Sequence, residues 1–261
     1  MSPGAALVTG GAKRLGRAMA LALAADGWDV AFSWLGSQPE AEETAEAIRA
    51  LGRRVAPLRA DLTEEAETDA LLPAAAAALG RPLTCLVNNA SIFEFDDMAS
   101  ATRASWDRAI ESNLRAPVRL TQLFAAQAPK AAPDAAGEPE ARAVVVNMID
   151  QRVLKPTPMF LSYSVAKHAL WAFTRMAAQG LAPDIRVAAI GPGPTLQGAR
   201  QSAGHFAAQR AATPLARGAG PDEIAAALRF ILATPAFTGQ MLALDGGQHL
   251  AWETPDVLGV E

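Results

Sequence analysis

The chain has 261 residues, 51% of them apolar, and a net charge of −4 at neutral pH. That length suits one α/β domain with a sizeable core, and the acidic balance argues against a nucleic-acid-binding role. No apolar run approaches the ~20 residues that a membrane helix needs, and no basic-then-apolar leader precedes the first strand, so a soluble cytoplasmic protein is expected.

Short β-branched runs alternate with longer Ala/Leu-rich amphipathic runs along the chain. A strand over 5–9 precedes a helix over 14–26, and a strand over 30–34 precedes a helix over 40–51. Strands over 55–59 and 83–88 are followed by helices over 64–79 and 104–127. Strands over 144–149 and 185–190 are followed by helices over 160–181 and 221–233, and a last strand lies over 240–244. Nearly continuous apolar strands in strict alternation with helices predict a parallel sheet covered on both faces, the single-domain doubly wound α/β fold that binds dinucleotides. Two stretches break the rhythm. The Pro/Ala/Gly-rich segment 128–142 is expected to be a mobile surface loop, and 191–220, after the sixth strand, is a candidate substrate lid with a disordered connector as the alternative.

Between the first strand and first helix stands Thr9-Gly10-Gly11-Ala12-Lys13-Arg14-Leu15-Gly16. Glycines at such a turn let backbone N–H groups approach a pyrophosphate resting on the positive helix N-terminus, although a glycine turn alone is also simple punctuation. The one tyrosine of the chain, Tyr163, lies four residues before Lys167, so phenol and ammonium share a helix face. A nearby cation would favour phenolate and bring the tyrosine into use as a proton donor and acceptor near neutral pH. Alone, the pair also fits a surface lysine beside a core aromatic. The single Cys85 sits in an apolar run and reads as an inert core thiol, and His168, His205 and His249 are too scattered for a metal site.

Together these motifs resemble the short-chain dehydrogenase/reductase family, whose usual opening is TGxxxGxG. Thr9, Gly10 and Gly16 match it, and Arg14 stands where the middle glycine belongs. Asp61 after the third strand, Asn88-Asn89-Ala90 after the fourth, Asn113 in the next helix, Tyr163 with Lys167, and Pro192-Gly193 after the sixth strand match in order. The resemblance implies a Rossmann fold with strand order 3-2-1-4-5-6-7. It implies a nucleotide held by Gly10, Lys13, Arg14, Leu15, Gly16, Asp61, Leu62, Asn89, Ala90, Ser91, Tyr163, Lys167, Pro192, Gly193 and Thr195. Asp61 would meet the adenine, and read alone it is a cap for the following helix. Asn113 would hold a water linking Lys167 to solvent, and read alone it is a kink or a local hydrogen bond. A homotetramer is also implied, with Trp252 and the tail near a neighbouring subunit.

Members that use NAD tend to carry an acid at the end of the second strand, whereas here Phe32-Ser33-Trp34-Leu35-Gly36-Ser37 has none. Lys13 and Arg14 can meet a 2′-phosphate and Ser37 can add a hydroxyl, so NADP(H) is the expected cofactor. Most of the family place a serine thirteen residues before the tyrosine, and this chain has Asp150 there. A carboxylate repels a developing alkoxide, but a proton-relaying aspartate suits reduction of a C=N bond. Arg14, the aspartate of Asn147-Met148-Ile149-Asp150, and Asn89-Ala90-Ser91-Ile92-Phe93 are all similar to pteridine reductases and the related bacterial dihydrofolate and dihydromonapterin reductases. That likeness implies a pterin stacked on Phe93, with Arg14, Ser91, Asp150 and Tyr163 around it. Two alternatives stay open: a carbonyl or 3-oxoacyl reductase of the same family, and a non-catalytic NADP-binding regulator.

Overall fold

Every strand of the main sheet runs parallel to its neighbours, so each connection must cross over a face, and helices fill both faces. The structure is a computed structural model that describes residues 1–198 and 201–252. In chain order the elements begin β1 (Ala5–Val8), α1 (Arg14–Ala25), β2 (Asp29–Trp34), α2 (Gln38–Ala50), β3 (Val55–Arg59), α3 (Glu65–Leu79) and β4 (Cys85–Asn88). Then come α4 (Arg103–Ile110), a π turn (Glu111–Arg115), α5 (Ala116–Gln127), β5 (Ala132–Pro133), β6 (Pro139–Glu140) and β7 (Ala143–Met148). A 3-10 turn (Gln151–Val153), α6 (Leu161–Gly180), β8 (Ile185–Pro192), α7 (Ala203–Ala211), α8 (Pro221–Ala233), β9 (Met241–Leu244) and a last 3-10 turn (Gln248–Leu250) follow.

The seven-stranded sheet has the order β3-β2-β1-β4-β7-β8-β9, which is the predicted order once the small β5–β6 pair is set aside. Its inner strands are buried on both sides, and one apolar cluster lies under α1, α2 and α8 while the other lies under α3, α5 and α6. Strand order reverses between β1 and β4. The crevice opens at the carboxyl ends of these strands, where the glycine turn, Asn88-Asn89-Ala90 and the Asp150 turn all emerge.

Two expectations need correction, and the candidate lid gains an element. The segment 128–142 is a short antiparallel hairpin, with Ala132 opposite Glu140 and Pro133 opposite Pro139. Asp134 Oδ1 closes its turn by accepting from the backbones of Ala136 and Glu138, and Asp184 pins its base through Lys130 Nζ and Ala131 N. The helix expected over 104–127 is interrupted by the π turn at Asn113. The segment 191–220 carries a nine-residue helix, α7, capped by Ser202 Oγ. It is pinned by Arg210, whose guanidinium donates to the carbonyls of Pro194, Gly218 and Ala219. Residues 199–200 of this segment, and 253–261 of the tail, lie outside the described residues. Among the described residues no helix is long and apolar enough to cross a membrane.

Candidate active site

The glycine turn is built for close approach. Gly10 has φ +63°, a left-handed conformation that favours glycine, and its N–H is held by Ser33 Oγ at 3.0 Å. A Cβ on Gly16 would strike the Gly10 carbonyl oxygen, so α1 packs tightly against the turn. Lys13, the N-cap of α1, offers no side-chain cap, and the first turn of the helix holds no acid. Its N–H groups and positive end therefore remain for an anion. Leu15 packs against one apolar cluster and Leu62 is buried in the other. Ser37 is buried at the start of α2, one residue past Gly36, whose surroundings are open. These features fit a dinucleotide phosphate bridge lying across the turn.

Arg14 occupies the middle-glycine position with φ +56°, the conformation a glycine there would supply without strain. Its guanidinium reaches across the crevice and donates to the carbonyls of Gln197 at 2.9 Å and Leu196 at 3.1 Å. Asn89 is spent on the turn, with Nδ2 donating to the Thr9 and Gly10 carbonyls, while Thr9 Oγ1 accepts from the backbones of Asn89 and Ala90. Asp61 Oδ1 accepts from the backbone and hydroxyl of Thr63, which holds its pKa below the usual carboxylate value. Asp61 thus shapes its own turn, and α3 begins later, at Glu65. Pro192 ends β8, Gly193 packs where a Cβ would meet Asp245, and Thr195 Oγ1 donates to the Gly193 carbonyl.

Deeper in the crevice, Tyr163 Oη donates to Asp150 Oδ2 at 2.8 Å. The other carboxylate oxygen, Oδ1, accepts from the Arg152 backbone N–H at 2.9 Å, so the 3-10 turn orients the acid toward the phenol. Burial raises the Tyr163 pKa well above its ordinary value, and the Asp150 charge and hydrogen bond raise it further. The net shift is upward, against the depression expected from Lys167. The ammonium donates instead to the Met148 carbonyl at 2.8 Å and lies 5.7 Å from the phenol ring centre. Burial at 2% exposure lowers the lysine itself to about 8.

Asn113 is fully buried in the π turn. Its Oδ1 accepts from Ser91 Oγ at 2.7 Å and from the Ile92 backbone, and its Nδ2 donates to the Ile92 carbonyl. Its side chain therefore fixes the loop carrying Ser91 and Phe93. Phe93 stacks on Phe160, with ring centres 4.2 Å apart and planes 8° from parallel, and meets Tyr163 edge-on at 4.7 Å. Three residues that the sequence left unmarked also hold this site. Ser33 supports the glycine turn. Asp96, buried, accepts the Ser162 N–H on Oδ1 and the Leu161 N–H on its carbonyl, and so caps α6. Phe160 begins α6 in a left-handed conformation, φ +57°. The left-handed φ of Phe160 and the reach of Asp96 to the first N–H groups of α6 arise only on folding, and neither is visible in sequence.

A family model described as Enoyl-(Acyl carrier protein) reductase matches residues 10–249. The chain is 41% identical to FolM Alternative dihydrofolate reductase 1 from Brucella canis, whose crystal structure is complexed with NADP. That likeness covers 98% of both chains at a TM-score of 0.90. A short-chain dehydrogenase from Burkholderia cenocepacia J2315, in complex with NADP, is 30% identical over 93% of this chain and 96% of its own, with a TM-score of 0.84. The 3-oxoacyl-[acyl-carrier-protein] reductase FabG of Staphylococcus aureus is 28% identical over 94% of this chain and 98% of its own length. Sheet order, glycine turn, Tyr163–Lys167 helix and these likenesses agree, and the chain belongs to the short-chain dehydrogenase/reductase family.

Proposed function

We propose that the protein is an NADPH-dependent reductase of a pterin-like C=N bond, such as that of a dihydropteridine, dihydromonapterin or dihydrofolate. The observation that carries this reading is the 2.8 Å hydrogen bond from Tyr163 Oη to Asp150 Oδ2 at the position where most of the family have serine. The likeness to the FolM dihydrofolate reductase supports the substrate class, and the NADP held by that protein supports the cofactor. The glycine turn and the uncapped N-terminus of α1 suit the pyrophosphate, and Lys13 suits a 2′-phosphate.

NADPH, when bound, supplies the hydride that a ring carbon of the substrate accepts. The adjacent ring nitrogen must then gain a proton. Tyr163, kept neutral by burial and by the Asp150 charge, holds a proton ready for that nitrogen. Asp150, open on one side to the crevice, relays a replacement proton from solvent to the phenol. Lys167 places its charge beneath the ring and steadies the phenolate as it forms. The exposed Phe93 shelf offers a planar ring an apolar face at the mouth of the crevice.

The FabG likeness favours a second reading, reduction of a carbonyl or 3-oxoacyl substrate. NADPH oxidation measured with dihydrobiopterin, dihydrofolate, dihydromonapterin and a simple diketone separates the two. Turnover confined to the pterins, lost in Asp150→Ser with a gain on the diketone, supports the proposal. Turnover of the diketone alone by the unaltered enzyme would remove it. Absence of turnover with all four compounds would favour a non-catalytic NADP-binding protein.

A further inference from the structure

Arg152 stands out at the mouth of the site. Its backbone N–H serves Asp150, but its guanidinium makes no ion pair with that carboxylate two residues away. The guanidinium carbon lies 5.2 Å from the centre of Phe93 and 4.9 Å from the centre of Phe160. Those rings are stacked with centres 4.2 Å apart, so a cation nearly equidistant from both sits beside the pair, not over the outer face of either. Little of the attraction of a ring face is available in that position. Nη1 is shut away from solvent with no acceptor among the described residues, and no described residue accepts from the remaining guanidinium N–H groups. Arg119 on Asp69 and Arg210 on three carbonyls find acceptors, and Arg53 and Arg186, each with an unpaired Nε, still donate through their other nitrogens. A partly buried cation without an acceptor is costly, and it persists here on a chain whose overall charge is negative.

We propose that Arg152 is a specificity-determining residue that binds a carboxylate on the substrate, so that the site selects pterins carrying an anionic tail over those with an uncharged side chain. The inference rests on the reductase reading above and deepens it. The planar fork of donors matches a carboxylate in two parallel hydrogen bonds. The position beside the exposed Phe93 places that fork at the rim, where a tail leaves a ring that has entered the crevice toward Tyr163. Asp150 is oriented by the same turn, so recognition of the tail and placement of the reacting ring share one short segment.

The test compares dihydrofolate, which carries carboxylates, with dihydrobiopterin, which does not, in the full-length protein with NADPH. In Arg152→Met the ratio of kcat/KM for dihydrofolate to that for dihydrobiopterin falls at least tenfold, and the loss lies in the KM for dihydrofolate. Arg152→Lys, which keeps the charge but not the fork, falls between the two. Arg175→Met, on the exposed side of α6, keeps the ratio of the unaltered enzyme. Equal losses on both substrates, an unchanged ratio, or a weakened affinity for NADPH in Arg152→Met overturn the assignment, the last by giving the residue to the cofactor. If no pterin is reduced, the reductase reading fails by itself and binding decides Arg152. Calorimetric binding of folate to the NADP-loaded protein that is lost in Arg152→Met supports the assignment, whereas equal binding or none refutes it.

Discussion

Lys167 lies one helical turn beyond Tyr163 on α6, yet its ammonium donates to the Met148 carbonyl and not to the phenol oxygen. The only hydrogen-bond partner of the phenol among the described residues is Asp150. The lysine therefore acts on the tyrosine through space, and the proton path runs through the acid.

Replacing Tyr163 with Phe removes the donor and keeps the ring that meets Phe93. Turnover falls by about 10²- to 10⁴-fold, the range for loss of a positioned proton donor. NADPH affinity, measured by fluorescence titration, stays within about threefold, as expected of a group acting on the chemical step alone. Near-normal turnover would remove Tyr163 from the chemistry.

Lys167 carries a pH signature. Burial lowers its pKa to about 8 from an ordinary 10.5, so between those values the unfolded chain holds a proton that the folded chain has released. Stability from this group is lowest below pH 8 and rises as pH climbs toward 10.5. In urea denaturation of the ligand-free protein, Lys167→Met shows less of this rise between pH 7.5 and 9.5 than the unaltered chain. Parallel curves would show that the lysine keeps its ordinary pKa.

Gly16 has no room for a side chain. In Gly16→Ala the new methyl meets the Gly10 carbonyl and the Asn89 amide, so α1 must shift away from the turn. Overpacking of this kind costs about 1–3 kcal/mol. The expected result is a lower melting temperature together with NADPH binding weakened at least tenfold, both read in one thermal-shift titration.

Arg14→Gly separates backbone from side chain. Glycine adopts the observed φ of +56° without the penalty of about 1–2 kcal/mol that a side chain carries there. The same change cuts the two hydrogen bonds to Leu196 and Gln197. Melting temperature is therefore held or raised, while hydrogen exchange around residues 195–198 quickens. Unchanged exchange there would show that the guanidinium does not restrain the segment.

Beneath the site, Asn88 Nδ2 donates to Asn147 Oδ1, Asn147 Nδ2 donates to Thr174 Oγ1, and Thr174 donates to the Leu170 carbonyl, all without contact with solvent. Thr174→Val strands the Asn147 amide and costs about 1–3 kcal/mol in chemical denaturation. A loss below 0.5 kcal/mol, roughly the effect of an ordinary surface change, would mean the chain of amides is not holding β4, β7 and α6 together.

The sheet was legible because each strand is bounded by turn residues and followed by a helix of the right period, and parallel order follows from that alternation. Tyr163 and Lys167 were legible as a pair because their spacing puts them on one helix face, and Asp150 was legible only through the family resemblance, as the acid standing where most members have serine. Asp96 and Ser33 were not, since each acts on backbone groups brought near only by folding, with Asp96 lying 66 residues from Ser162. Phe93 was legible as a crevice residue by its place after the fourth strand. Its stacking on Phe160 was hidden, because it depends on a left-handed residue at the head of α6. The hairpin at 132–140 was missed because two-residue ladders have no periodicity to detect.

The widened turn at Glu111–Arg115 also sets the phase of everything beyond it. Trp106 and Phe124 are eighteen residues apart, a whole number of turns, and an unbroken α-helix would point them the same way. One surplus residue in the wide turn swings the second half by about 100° relative to the first. Phe124 accordingly enters the core at 0% exposure while Trp106 stays at the surface at 37%. A chain shortened by a single residue here would trade one ring's place against the other's, and would turn Asn113 away from the loop that Ser91 and Ile92 share with it.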